Sequence, residues 1–223
     1  MQVDIIIPTR DYGHYVGQAL ASALAQQDVD VAVTVIDDGS QDNTAQVVAE
    51  FDHARVRYLR FETSRGLAAA RNAGVQSTSR PFVSFLDADD VFPPDRTARL
   101  LEKLITSGAD YAHGVSRTFQ APNAAGTGPT ALIPGPAPGT LLIRRELFTR
   151  VGPLDESVQY LSLAHWLLRA QGAGAVGVDT DCVVVERRLH DKNMSRDDSK
   201  RLSALALVRE HLQSRDHQVT GQP

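Results

Sequence analysis

Phe82-Val83-Ser84-Phe85-Leu86-Asp87-Ala88-Asp89-Asp90 is an apolar run that stops in three carboxylates. Asp87 and Asp89 are two residues apart, so on an extended backbone they share one side. Two hard oxygen ligands on one side suit Mg²⁺ or Mn²⁺, with a diphosphate completing the shell. Taken alone, the stretch reads first as a strand followed by an acidic turn, since an Asp-x-Asp is common by chance. Two other polar clusters follow apolar β-branched runs. Pro8-Thr9-Arg10-Asp11 follows Val3–Ile7, and Asp37-Asp38-Gly39-Ser40 follows Val31–Ile36.

The elements around these clusters explain why they should meet. Short β-rich runs at 3–7, 31–36, 56–61 and 82–86 alternate with helical patterns. Val16, Leu20 and Leu24 give helical spacing over 13–26. Asp42 or Asn43 can cap the next helix. Residues 66–77 are a small-residue helix able to lie close against a sheet. This β-α alternation predicts an α/β fold: a Rossmann-like, mostly parallel sheet flanked by helices. Ligands bind such sheets at the carboxyl ends of the strands, where all three polar clusters lie.

The second half is less regular. A helix is expected over 95–106, stopped by Gly108. Strands are expected at 111–119, 139–143 and 181–187, and helical segments at 146–151 and 160–171. Residues 120–138 are rich in Pro and Gly, which excludes a helix or central strand and predicts a surface loop, either a spacer or a lid. Asp197-Asp198-Ser199 can cap a last helix that turns Leu202, Leu205, Ala206 and Leu212 inward. The expected division is a ligand-binding half at 1–95, a second half of the same domain at 96–195, and a terminal helix and tail at 196–223.

Composition narrows the class. The chain has 223 residues, 42% hydrophobic and 22% charged, enough for a core. A net charge of −4 without a long basic run argues against nucleic-acid binding. One cysteine, Cys182, excludes an internal disulfide and an all-cysteine zinc cluster. No signal-like start and no membrane-length apolar stretch is present. The expectation is a cytoplasmic protein, with peripheral contact to a membrane surface still compatible.

Four motifs in order resemble family 2 glycosyltransferases of the GT-A fold. They are Ile5-Ile6-Ile7-Pro8-Thr9-Arg10, Val35-Ile36-Asp37-Asp38-Gly39-Ser40, Gly66-Leu67-Ala68-Ala69-Ala70-Arg71-Asn72-Ala73-Gly74 and Phe85-Leu86-Asp87-Ala88-Asp89-Asp90. The resemblance covers roughly residues 2–95. It implies a GT-A type fold and transfer of a sugar from a nucleotide diphosphate sugar, with inversion and a divalent cation. The acceptor is left open: a saccharide, lipid-linked saccharide, peptide or small metabolite. The resemblance implies donor contacts from Pro8, Thr9 and Arg10, and a base contact from Asp37 or Asp38. It places Arg71 near the phosphates, Asp87 at ribose or metal, and Asp89 on the metal.

The acceptor half departs from the family pattern. Many members carry an acidic pair on the helix where this chain has Tyr160-Leu161-Ser162-Leu163-Ala164-His165-Trp166-Leu167-Leu168-Arg169. The segment resembles an Asp-Trp-x-x-Arg-Ala signature with His165 at the acid's place. Ser162, His165 and Arg169 are expected on one face, with Leu161, Ala164 and Leu168 as the apolar stripe. His165 is the candidate base, because imidazole titrates near working pH. A solvated His165, a base from Asp155 or Glu156, and lost activity remain open alternatives. Arg187-Arg188-Leu189-His190-Asp191-Lys192-Asn193-Met194-Ser195 resembles the family's Arg-x-His-x-x-Asn-x-Ser run. It implies Arg188 beside phosphate and His190 on the metal or the diphosphate. Two other functions fit parts of the pattern. A nucleotidyltransferase would lack its usual Gly-rich loop with Lys near the first strand. A catalytically impaired nucleotide-sugar-binding protein would explain the missing acid.

Overall fold

A computed structural model describes residues 1–120, 130–158 and 161–191. Eight strands form one sheet. They are β1 (Gln2–Thr9), β2 (Asp30–Asp37), β3 (Val56–Arg60), β4 (Phe82–Phe85), β5 (Tyr111–Gln120), β6 (Leu132–Pro134), β7 (Leu141–Arg144) and β8 (Gly177–Leu189). The order is β3-β2-β1-β4-β7-β5-β6, with β8 paired to β5. β1 to β4 pair in parallel, as the β-α alternation predicts. β7 pairs antiparallel to both β4 and β5, so the sheet is mixed. One sheet thus runs through both halves of the chain.

The helices are α1 (Gly13–Leu24), α2 (Thr44–Ala49), α3 (Leu67–Ser77), α4 (Arg96–Ser107), α5 (Arg145–Val151) and α6 (Ser162–Gly172). Alternation along the strands divides the core in two. Ile5, Ile7, Val33 and Val35 face α1 and α4 with Leu20, Leu100 and Leu104. Ile6, Ile36, Val83 and Phe85 face the other way, with Ala70 of α3, Leu147 and Phe148 of α5, and Trp166 of α6. The small residues of α3 have a steric reason. A Cβ on Gly74 would stand 2.4 Å from Ile6 Cγ2.

Several boundaries move. Pro8 lies inside β1, opposite Ile36, rather than in the following loop. Proline has no N–H to give a ladder, but its fixed φ suits the end of a strand. Within the Pro/Gly-rich stretch, Leu132–Pro134 forms a short strand antiparallel to β5. Its three residues are all exposed, which is where a sheet tolerates proline. Residues 121–129 of that stretch lie outside the described residues, as does the expected helix after Asp197. β8 begins at Gly177, earlier than the apolar run suggests, because its first half is an exposed, partly acidic segment. Among the described residues no helix is long and apolar enough to cross a membrane.

Candidate functional site

The carboxyl ends of β1, β2 and β4 open onto a cleft of about 840 Å³. Backbone bonds fix the three ends against each other. Asp38 N–H donates to Thr9 O at 2.9 Å, and Leu86 N–H to Ile6 O at 3.0 Å. Pro8, Thr9, Arg10, Asp38, Arg71, Asp87 and Asp89 all line the cleft. Asp90, Tyr12, Ser64 and Arg65 line it as well.

The two adjacent aspartates after β2 divide their work. Asp37 is fully buried. Its Oδ1 accepts from Ser40 N–H at 2.7 Å, and its Oδ2 accepts from the Tyr58 hydroxyl. It therefore closes the turn and does not line the cleft. Asp38 holds the segment that leads into α3. It accepts from Ser64 Oγ at 2.7 Å, Arg65 N–H at 2.6 Å and Gly66 N–H at 3.0 Å. Gly66 has φ +91, a conformation that glycine adopts without steric cost.

Arg71 is 3% exposed and reaches the cleft from α3. Its Nη2 lies 3.0 Å from Asp87 Oδ1. Its Nε is buried with no hydrogen-bond partner among the described residues, and so is Thr9 Oγ1. Buried polar atoms are ordinarily satisfied. Two unsatisfied ones on cleft-lining residues are what a site built for a polar ligand leaves open.

At the end of β4, burial and neighbouring charge raise the proton affinity of Asp89 and Asp90. Burial, then the charge of Asp87, push Asp89 above the usual carboxylate range, while the His190 hydrogen bond pulls it back. Burial, then Asp89 and Asp87, push Asp90 well above it. His190 Nε2 stands 2.9 Å from Asp89 Oδ2, and the imidazole packs against Tyr12 and Tyr15. His190 is not among the cleft-lining residues; it holds Asp89 from behind. Mutually repelling, desolvated carboxylates open to a cleft suit a hard cation. Among the described residues no three His, Cys, Asp or Glu side chains converge on one point. A cation beside Asp87 and Asp89 would therefore draw its other ligands from phosphate and water.

Arg188 also lies outside the lining, and Arg187 takes that place. Arg188 is 4% exposed. Its backbone N–H donates to Asp90 Oδ1 at 2.9 Å, its Nε to Asp89 O at 2.8 Å and its Nη2 to Gln18 Oε1 at 2.6 Å. The guanidinium is packed over the rings of Tyr15 and Phe119. It braces the acidic loop.

The opposite wall comes from the second half. Pro136 to Pro138 line it, with Leu161, Leu163, Ala164 and Leu167 around α6. α6 buries Ser162, Leu163, Trp166, Leu167 and Ala170, so its inward stripe is one step off the expected Leu161, Ala164 and Leu168. Two bonds set this rotation. Trp166 Nε1 donates to Gly152 O at 2.7 Å, and Arg169 Nη2 to Val151 O at 2.6 Å. Leu161 takes φ 58 and stays 43% exposed. His165 is not among the lining residues. It stands close enough to Asp155 to help lower that acid's proton affinity, after the hydrogen bonds from Ser157. Glu156, just after Asp155, does line the cleft. Arg65 and Glu156 carry weak sequence signals, the first only its place before the Gly66 motif.

The sequence pattern of glycosyl transferase family 2 matches residues 4–155. An uncharacterised glycosyltransferase of Nostoc sp. is 30% identical over 177 residues, covering 70% of this chain and 54% of that protein. Succinoglycan biosynthesis protein ExoO of Rhizobium meliloti is 36% identical over 110 residues, 49% of this chain and 32% of that protein. This chain thus spans about half or less of the length of these relatives. The crystal structure of S. aureus TarS 1-349 in complex with UDP-GlcNAc superposes with a TM-score of 0.70 at 19% identity, covering 88% of this chain and 61% of that one. At that identity the likeness is one of fold, and the fold is GT-A.

Proposed function

Because the chain belongs to glycosyl transferase family 2, we propose that its cleft takes a nucleoside diphosphate sugar and transfers the sugar to an acceptor hydroxyl with inversion. The observation that carries this is the convergence of Asp38, Arg71, Asp87 and Asp89 on one cleft, with Arg71 Nε and Thr9 Oγ1 buried and unsatisfied. The TarS structures with UDP and UDP-GlcNAc favour a uridine donor. Family membership favours sugar transfer over nucleotidyl transfer.

In this reading Asp38, with Pro8, Thr9 and Arg10 beside it, receives the base and ribose. Arg71 and Arg187 supply positive charge to the diphosphate. Asp87 and Asp89 would hold Mg²⁺ or Mn²⁺. The bound cation would neutralise charge on the departing diphosphate without a proton transfer. Arg188 and His190 keep Asp89 in place. The acceptor enters between Pro136–Pro138 and α6.

Thermal shift and release of the nucleoside diphosphate test this directly. UDP-glucose, UDP-GlcNAc, dTDP-glucose and GDP-mannose are each added with Mn²⁺ or with EDTA. At least one donor should raise the melting temperature with Mn²⁺ and be turned over. Asp89→Asn should lose the Mn²⁺-dependent part of both effects. No shift with any donor, or a full metal effect in Asp89→Asn, would overturn the reading. A donor that binds and is never turned over would leave a nucleotide-sugar-binding protein.

A further inference from the structure

Inverting transfer needs a group that takes the acceptor's proton as its oxygen attacks. Among the described residues, the wall facing the strand ends offers almost none. Leu161, Leu163, Ala164 and Leu167 are apolar, and His165 lies off the lining. Among the described residues, Glu156 is the only carboxylate lining the cleft that does not come from the strand-end loops of the first half.

Glu156 is also held in position. Asn72 Nδ2 donates to its Oε1 at 3.0 Å. Asn72 is itself clamped to the backbone, accepting from Leu154 N–H at 2.9 Å and donating to Leu154 O at 2.9 Å. Arg65 Nη2 stands 3.9 Å from Glu156 Oε2, and Arg65 is anchored by its own N–H on Asp38. Asn72 follows Arg71 on α3. One rigid turn of helix therefore holds Asp87 through Arg71 and Glu156 through Asn72. The Glu156 side chain is 47% exposed in the open cleft, so an acceptor can reach it.

The other lining carboxylates are committed. Asp38 carries the loop before α3, Asp87 pairs with Arg71, Asp89 meets His190 and Asp90 meets the Arg188 N–H. We infer that Glu156 is the general base of this enzyme, in place of an acid on α6. The step balances simply. The acceptor O–H gives its proton to Glu156, its oxygen bonds to the anomeric carbon, and the bond from that carbon to the diphosphate oxygen breaks with its electron pair leaving on the diphosphate. Water serves as acceptor in donor hydrolysis. The inference rests on the sugar-transfer reading.

The test uses the full chain with Mn²⁺ and the UDP-sugar it turns over, water being the acceptor. UDP release is measured beside UDP affinity by calorimetry. Glu156→Gln retains an acceptor for the Asn72 bond, so folding and UDP affinity should stay within about two-fold, while turnover falls about 100-fold or more. Glu156→Ala should regain turnover with added formate, which a purely structural role does not predict. Asp155→Asn should match wild type. Turnover of Glu156→Gln within three-fold of wild type, a parallel loss of UDP affinity, or failure of formate rescue would overturn the assignment. A wild-type chain that binds no nucleotide sugar would overturn the function reading and this inference with it.

Discussion

Arg187 lines the cleft, while Arg188, one residue on, is buried under Tyr15 and Phe119 and bonded to the acidic loop. Neighbours in a strand face opposite sides, so one substitution at each position should have opposite signatures. Arg187→Ala should weaken UDP binding several-fold and lower the melting temperature by less than the change at Arg188 does. Arg188→Ala removes a donor from the Asp89 carbonyl and from Gln18 and empties a packed site. It should cost about 2–4 kcal/mol of stability, read by urea denaturation. Asp37 and Asp38 show the same division. The sequence motifs bring both pairs to the cleft but do not tell which member lines it. Motif spacing places a residue along the strand; the side it faces depends on register, and register depends on partners far away in sequence.

The same physics acts on whole elements. Four strands and three helices of the first half were legible, because their apolar residues repeat at the strand and helix periods and their polar residues fall at the ends. α6 was legible as a helix but not in its rotation. Trp166 and Arg169 turn it by bonding to the carbonyls of Gly152 and Val151, and that turn puts Leu163 on the cleft and His165 off it. α3 is fixed by a tighter contact. Gly74→Ala adds a methyl 2.4 Å from Ile6 Cγ2. Overpacking of about 1–3 kcal/mol outweighs a helix-propensity gain of about 1 kcal/mol. The melting temperature should fall, and turnover should fall with it because Arg71 and Asn72 ride on that helix. α1 and α2 are tied by Asp42, which accepts from Gly13 N–H at 2.8 Å and from Thr44 N–H at 2.9 Å. Partial burial pushes Asp42 up, but the Thr44 side chain and these backbone donors hold it below the usual carboxylate range. A folded value below the unfolded one adds stability above about pH 4, which is lost as pH falls through the folded value. Through the lost bonds to the Gly13 and Thr44 N–H groups, Asp42→Ala should cost about 1 kcal/mol at pH 7. The gap to wild type should close as the pH is taken toward 3.

At the scale of the molecule, one sheet carries both walls of the cleft. The wall with Asp38, Asp87 and Asp89 hangs on β1, β2 and β4, and β4 pairs directly with β7 of the second half. Arg96 reinforces that seam. It is fully buried, and it donates from Nη1 to Ser84 Oγ at 2.8 Å and from Nη2 to Leu141 O at 3.0 Å and Gly139 O at 3.1 Å. Gly139 adjoins Pro136–Pro138 on the opposite wall. Arg96→Met should therefore do more than loosen the core. Ser84 and the two carbonyls would lose a shared donor, at a cost of about 2–4 kcal/mol. The Pro136–Pro138 wall would also lose one of its ties to β4, the Ser84 Oγ bond to Leu141 O at 2.7 Å remaining. Unfolding should remain a single transition in both proteins, because the sheet has no break between the halves. In the variant UDP affinity should hold, since the strand-end loops keep their own bonds, while turnover drops with the displaced wall proposed to take the acceptor. Calorimetric unfolding, UDP titration and UDP release measured on one preparation check the three parts. Two separate melting transitions would show that the halves fold apart, and equal losses in UDP affinity and turnover would show that Arg96 supports the wall with the aspartates as well.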